Sequence, residues 1–440
     1  RDLHLSIRRQ RQMCIRDRFR RSKRNSSPPS EPETIVLAPP VQPRSVTEQA
    51  KLVLANTRPL RPFGMHLMDT YGLTLCEDIV ADLNLPADTQ SAIAGYGVRA
   101  GDVTYASASR PVRLGVVDRI GPDDLAGPPV AIRAAVRVEA GSPLPEGVDA
   151  VVPLGSVQRE LDEIVVTIPV HDGQNVARRG SEVAEGQILV RSGQRVDART
   201  IGILAESGHD KILVRPKPRV VVITIGRHLV APGMPLASRV ERYDATTAMI
   251  AAAARAEGAQ CYAVGALPED AERIRQVLND QLIRADLVIT VGGLEGVNPV
   301  MAAAVEGIGT ADFTPVDMAP STDQGFATIG DDHTPLLMLP SAPVSAFVAY
   351  QTLVRPVLRS LSGRKVYDPP TKKLPLRRPI VNDTERTLYL PAATDDSGVL
   401  PLAGVSLASR LADMDALVIV PATVTRLDVG DEATCWVLDA

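Results

Sequence analysis

The spacing of apolar positions changes several times along this chain, and each change marks an element. Over residues 46–55 (VTEQAKLVLA), Val46, Ala50 and Val53 or Leu54 share one face at helical spacing, with Ser45 before them and Glu48 three residues on. This predicts an amphipathic helix opened by a capping box. Pro59 and Pro62 end it. Residues 74–98 read as extended segments broken at Pro86 and Gly95. Short β-rich runs then recur at 112–117, 131–139, 150–153 and 163–170 with turn residues between them, the pattern of a small β-barrel or sandwich.

The pattern changes at Pro218. Residues 219–224 (RVVVIT) form a continuous β-branched run, as expected of a strand covered on both faces. A helix is expected near 244–257, closing on Gly258, then a strand near 260–264, a helix near 269–284 and a strand at 286–291. Strands alternating with helices predict βαβ units, a parallel sheet and right-handed crossovers. Residues 343–361 predict a closing helix with Pro343 in its first turn. Residues 366–440 return to short β-runs, including 417–420 and 434–438, and read as a separate domain. The fold class is therefore α/β and multidomain. The expected division is a disordered head at 1–44, a helix and extended linker region at 45–98, a β-rich domain at 99–179, an α/β domain at 180–364 and a C-terminal β-domain at 365–440.

Composition narrows the function classes. Of 440 residues, 45% are hydrophobic and 23% charged, enough apolar chain for buried cores. Aromatic residues make up only 3%, a poor supply for base stacking. The net charge of -4 hides an asymmetry: residues 1–24 hold ten basic and two acidic side chains, leaving 38 basic and 50 acidic ones in the remainder. So acidic a body is repelled by phosphate backbones and anionic lipid, and no nucleic-acid partner is expected. The four cysteines are scattered without a CxxC pair, which fits a reducing compartment. No apolar run approaches the ~18 residues of a membrane helix, and the head lacks a secretory signal core. A cytoplasmic protein is expected. Within the head, QMCIRDR resembles translated sequencing-adapter read-through, and the chain has no initiator Met. The head is expected to be a solvated tail or non-native, and residues 25–45 a Pro/Ser-rich linker.

In parallel sheets, ligands sit at the carboxyl ends of strands. Three loops meet that condition: Gly226-Arg227-His228, residues 292–298 (GGLEGVN), and residues 340–345 (PSAPVS). Paired glycines allow close backbone approach to a phosphate or pterin, although GGxxG also suits an ordinary strand-to-helix turn. His228 and His333 lack HExxH spacing, and Arg178 with Arg179 suits either an anion or a solvated surface.

Together these segments resemble the molybdopterin molybdenumtransferase family, which includes MoeA and the gephyrin E domain. The motifs are residues 91–99 (SAIAGYGVR, against S-A-M-D-G-Y-A-V-R), 139–152 (EAGSPLPEGVDAVV), 173–176 (GQNV), 179–182 (RGSE), 186–187 (GQ), 218–220 (PRV), 224–226 (TIG) and 339–345 (LPSAPVS). The resemblance runs from about residue 46 to 440. It implies a homodimer whose α/β domain binds molybdopterin, beside a β-rich linker domain and a C-terminal β-barrel. It also implies insertion of molybdate into adenylylated molybdopterin, with release of AMP and a role for Mg2+. The implied substrate-binding residues are Ser91, Gly226, Gly292, Gly293, Glu295, Pro340, Ser341, Pro343 and Ser345.

This chain departs from the family pattern where charge is needed. Ala94, Arg227, His228 and Asn298 occupy positions where the pattern has acids, and residues 319–323 (APSTD) replace R-P-G-K-P. No catalytic or metal residue is assigned with these losses. The expectation is a molybdenumtransferase-like protein with activity weak or lost. The alternative is a non-catalytic, gephyrin-like dimeric scaffold that binds a protein partner.

Overall fold

The computed structural model describes residues 42–296, 299–402 and 408–438. The expected helix is present at Val46–Ala55, and its capping box is complete: Ser45 Oγ accepts from the Glu48 N–H, and Glu48 accepts from the Ser45 N–H at 3.0 Å. Its buried residues are Gln49 and Val53. The fold begins before this helix. Arg44, which the sequence reading leaves in the head, pairs with Asp312 at 2.9 Å, and its N–H donates to the Pro315 carbonyl at 2.8 Å.

The chain then builds one small sheet from distant segments. Lys211–Arg215 lies between Phe63–His66 and Thr74–Leu75, antiparallel to both. Ile188–Val190 pairs with Ile79–Val80. Leu67, Leu75, Leu204, Ile212 and Val214 form the core beneath. Residues 188–215 therefore pack with the 63–80 segment, not with the parallel sheet that follows.

The β-rich region is a six-stranded sheet in the order Ala150–Pro153, Gly95–Val98, Ala134–Val138, Val112–Ile120, Glu163–Val166, Val157–Glu160. Its one parallel pair is Val112–Ile120 with Ala134–Val138. Gly95 does not break the chain, as its sequence context suggests. It starts an inner strand, where a Cβ would collide with the Val152 carbonyl.

The α/β unit comprises β1 (Arg219–Ile225), α1 (Ala245–Ala256), β2 (Gln260–Leu267), α2 (Ala271–Leu282), β3 (Leu287–Val291), α3 (Val300–Val305), β4 (Gly309–Asp312), β5 (Gly325–Ile329) and β6 (Thr334–Leu339). The sheet order is β2-β1-β3-β6-β5-β4. β2, β1, β3 and β6 are parallel as expected, but β5 runs antiparallel between β6 and the edge strand β4, so the sheet is mixed. Every residue of β3 is buried, because helices cover both faces. Burial of each Val, Leu or Ile side chain stabilises by about 1.5–3 kcal/mol. Asp270 caps α2 by accepting from the N–H groups of Glu272 and Arg273, while Ile274, Val277 and Leu278 turn inward at helical spacing.

The closing helix is not uniform. It runs as α4 (Pro343–Ala349), a π-helical turn (Tyr350–Val354) and α5 (Arg355–Leu361). Pro356 has no N–H to give to the preceding turn, and the Arg355 N–H reaches Tyr350 O instead. Beyond it, a C-terminal sheet orders Met318–Ala319, Thr387–Asp395, Ala416–Val420, Glu432–Val437 and Thr371–Pro375, with Gly398–Pro401 beside Thr387–Asp395. Among the described residues no helix is long and apolar enough to cross a membrane.

Candidate functional site

The strand order reverses direction at β1: β2 lies on one side of it and β3 on the other. Such a switch point opens a crevice at the carboxyl edge. The three loops named above leave β1, β3 and β6, which are adjacent and parallel, so they converge there. Gly226 N–H donates to Leu267 O and Gly292 N–H to Leu339 O, each at 2.9 Å.

Glycine is required at two positions of the middle loop. Gly292 has φ +87°, and a Cβ on it would lie 2.5 Å from the Ile225 carbonyl and 3.6 Å from Ser341 Cβ. Gly293 has φ +75° and would meet Val300 and Ile225 at 3.0 and 3.2 Å. Bare backbone thus brings the ends of β1, β3 and the β6 loop into contact. Pro340 and Ser345 are buried, Ser341 is exposed, and Pro343 starts α4. Ala342 at the α4 N-cap supplies no side-chain acceptor, which leaves the first-turn N–H groups directed toward the loop.

Arg227, which the resemblance sets in place of an acid, donates from its Nε to Glu269 at 2.7 Å, so its charge is matched. His228 is exposed, and its carbonyl accepts from Arg242 N–H. Glu295, the only carboxylate in the described parts of these loops, accepts from the Leu294 N–H at 3.1 Å. One such carboxylate does not make a protein-built magnesium site, which needs hard oxygen donors in octahedral array. Among the described residues no cluster of three His, Cys, Asp or Glu side chains could hold a metal. Glu295 alone stands at the lower limit of the one or two carboxylates by which a protein holds Mg2+ beside substrate phosphates. Asn298 lies outside the described residues.

Ser91 and Ala94 do not join this crevice within the chain. Ser91 is buried in the β-rich region; its hydroxyl donates to Ile93 O at 2.6 Å and its N–H to Ser142 O at 2.9 Å. Ala94 is exposed on the following turn. His333 sits at the turn before β6, on the opposite edge of the sheet, and Arg178 pairs with Asp172. Sequence reasoning missed a buried polar chain beside the crevice. Asp244 caps α1 by accepting from Thr247 N–H at 3.0 Å and Thr247 Oγ1 at 2.6 Å, and Thr247 also bonds Thr224 at the end of β1. The signal was an Asp just ahead of an apolar helical run.

Comparison with known proteins agrees with this architecture. Residues 44–208 match the family model for the MoeA N-terminal region (domain I and II), and residues 221–360 match that for a probable molybdopterin binding domain. The chain is similar to molybdopterin molybdenumtransferase 1 of Mycobacterium tuberculosis, 30% identical over 432 residues that cover 88% of this chain and 97% of the relative. It is 31% identical to molybdopterin molybdenumtransferase 2 of the same organism over 410 residues, covering 89% and 99%. The fold is similar to that of the molybdopterin biosynthesis moea protein from Pyrococcus horikosii, with a TM-score of 0.82, 24% identity and coverage of 91% of this chain and all of that one.

Proposed function

From the premise that this chain belongs to the molybdopterin molybdenumtransferase family, we propose that the crevice at the ends of β1, β3 and β6 binds adenylylated molybdopterin. The carrying observation is the convergence of Gly226, Gly292, Gly293 and Ser341 at the switch point, where bare backbone lets a ligand approach closely. In the family reaction molybdate is inserted into that ligand and AMP is released. Here the loops retain the cradle and lack most of the charge. Arg227 is matched by Glu269, and Glu295 is a single acid on an exposed turn. Loss of one preorganised electrostatic group commonly costs about 10²–10³ in rate. The reading is therefore binding with molybdate insertion weak or lost.

A homodimer is part of this reading. Phe63, Met68 and Tyr71, 63%, 75% and 62% exposed, lie close in sequence in the N-terminal region, and symmetric pairing is the usual way such residues are covered. The replaced acids also favour the second reading, a gephyrin-like scaffold with a protein partner. We further read the C-terminal sheet as a barrel, supported by the bridge from Leu376 to Val399.

The test is binding of adenylylated molybdopterin to the purified protein, with AMP release on adding molybdate, beside complementation of cells lacking their own molybdenumtransferase. Binding without AMP release and without rescue supports the reading. Full rescue at ordinary expression overturns the loss of activity, and absence of binding overturns the assignment of the crevice.

A further inference from the structure

A second cleft lies at the opposite edge of the sheet, where α1 and α5 end. Its charged end, at Arg359, lies about 24 Å of helix from Pro343 at 1.5 Å per residue, while its apolar wall reaches back along the same helix to Phe347. Its centre is Glu257, just past α1. The Glu257 carboxylate receives Arg355 Nε at 2.5 Å, Arg359 Nη2 at 3.1 Å and Arg364 Nη1 at 2.9 Å. Only about a tenth of the Glu257 and Arg355 side chains is exposed. One carboxylate cannot balance three guanidiniums. Arg195 adds a fourth to the same 580 Å³ cavity, and a neighbouring cavity that shares Arg195, Arg359 and Arg364 adds Arg191 and Lys365. Among the described residues Glu257 is the only acid that lines either cavity.

Two polar atoms here are also without partners. Among the described residues neither the Tyr350 hydroxyl nor Arg364 Nε has a hydrogen-bond partner, although both are buried and both side chains line the cavity. An orphaned hydroxyl in low dielectric is costly. The rest of the wall is apolar, with Met249, Ala253, Phe347, Leu411 and Met414.

We propose that this cleft binds a phosphomonoester with an apolar body. The phosphoryl oxygens take the donors of Arg195, Arg364 and Tyr350, and the body lies on Met249, Phe347 and Met414. Guanidinium forks match phosphate geometry, and a dianion offsets the excess charge that Glu257 leaves. The assignment stands whether or not the glycine loops take molybdopterin.

The experiment is calorimetric titration of the full chain with phenyl phosphate and, separately, with inorganic phosphate, at matched ionic strength. Phenyl phosphate should bind at least about tenfold more tightly, since the apolar wall contributes only to the ester. Arg195 is exposed, so Arg195→Gln should fold and weaken phenyl phosphate by about tenfold or more. Tyr350→Phe, which removes one oxygen, should weaken it by about three- to tenfold. Arg227→Ala should leave it unchanged, which separates this cleft from the glycine loops. No binding, equal affinity for ester and inorganic phosphate, or binding indifferent to Arg195→Gln and Tyr350→Phe would each overturn the proposal.

Discussion

Arg227 Nε donates to Glu269 Oε2 at 2.7 Å, so the cation at the mouth of the crevice is matched by a carboxylate 42 residues further on. The resemblance to the family implies an acid where Arg227 stands. Restoring it alone would set two carboxylates face to face, which disfavours both charges. Arg227→Asp should therefore fail to raise activity in complementation, whereas Arg227→Asp with Glu269→Gln should raise it if the other acids are also restored. The pair is exposed, so Arg227→Ala should change stability by no more than about 1 kcal/mol. Rescue by Arg227→Asp alone would show that Glu269 does not govern this position.

Two glycines of the loop after β3 give a cleaner separation of causes. Gly292 needs positive φ and has the Ile225 carbonyl against it, whereas Gly296 needs positive φ but meets nothing within 4 Å among the described residues. Gly296→Ala should cost about 1 kcal/mol for the left-handed backbone. Gly292→Ala should cost about 3 kcal/mol, since the loop must also move off β1. Urea unfolding of both variants measures the difference. Equal losses would mean that the approach of Ile225 to Gly292 is not tight in solution.

What could be read from the sequence was what local chemistry decides. Ser45 and Glu48 announce their capping box three residues apart, and the β-branched run that became β1 could hardly be anything but a buried strand. The glycine loops were placed correctly because strand–helix alternation fixes which loops lie at the carboxyl edge. Long-range pairings were not legible. Arg44 depends on Asp312, and Arg227 on Glu269; no local pattern links either pair. Ser91 is carried toward the site by motif, yet its hydroxyl is held by Ile93 two residues away. The π-helical turn before Pro356 was also hidden, because periodicity over 343–361 does not distinguish a single widened turn from a regular helix.

Dimerisation is tested at the exposed N-terminal residues. Met68 is 75% exposed, so Met68→Glu removes no buried packing within the chain. A proposed homodimer through this face should dissociate, and light scattering should report about half the wild-type mass. A variant that keeps the wild-type dimer mass would place the interface elsewhere, and a monomeric wild type would remove it.

The Glu257 cluster yields a pH dependence with a definite sign. Burial, the largest single influence, pushes the carboxyl up; the hydrogen bond from Arg359 and the charges of Arg355, Arg359 and Arg364 together outweigh it and hold the group below its ordinary value of 4.5. The unfolded chain therefore takes up this proton first as pH falls. Stability from Glu257 is fully present above the unfolded value, and is lost as pH drops below 4.5 toward the folded value. Glu257→Gln removes the carboxylate at all pH values and leaves three guanidiniums without it, at a cost of about 3 kcal/mol or more at neutral pH. The gap between wild type and Glu257→Gln should stay constant from about pH 8 to pH 6, then narrow below the ordinary carboxylate range. Urea unfolding of both proteins across that range decides it. A gap that stays the same at low pH would mean that the Glu257 carboxylate does not bear the charge of Arg355, Arg359 and Arg364.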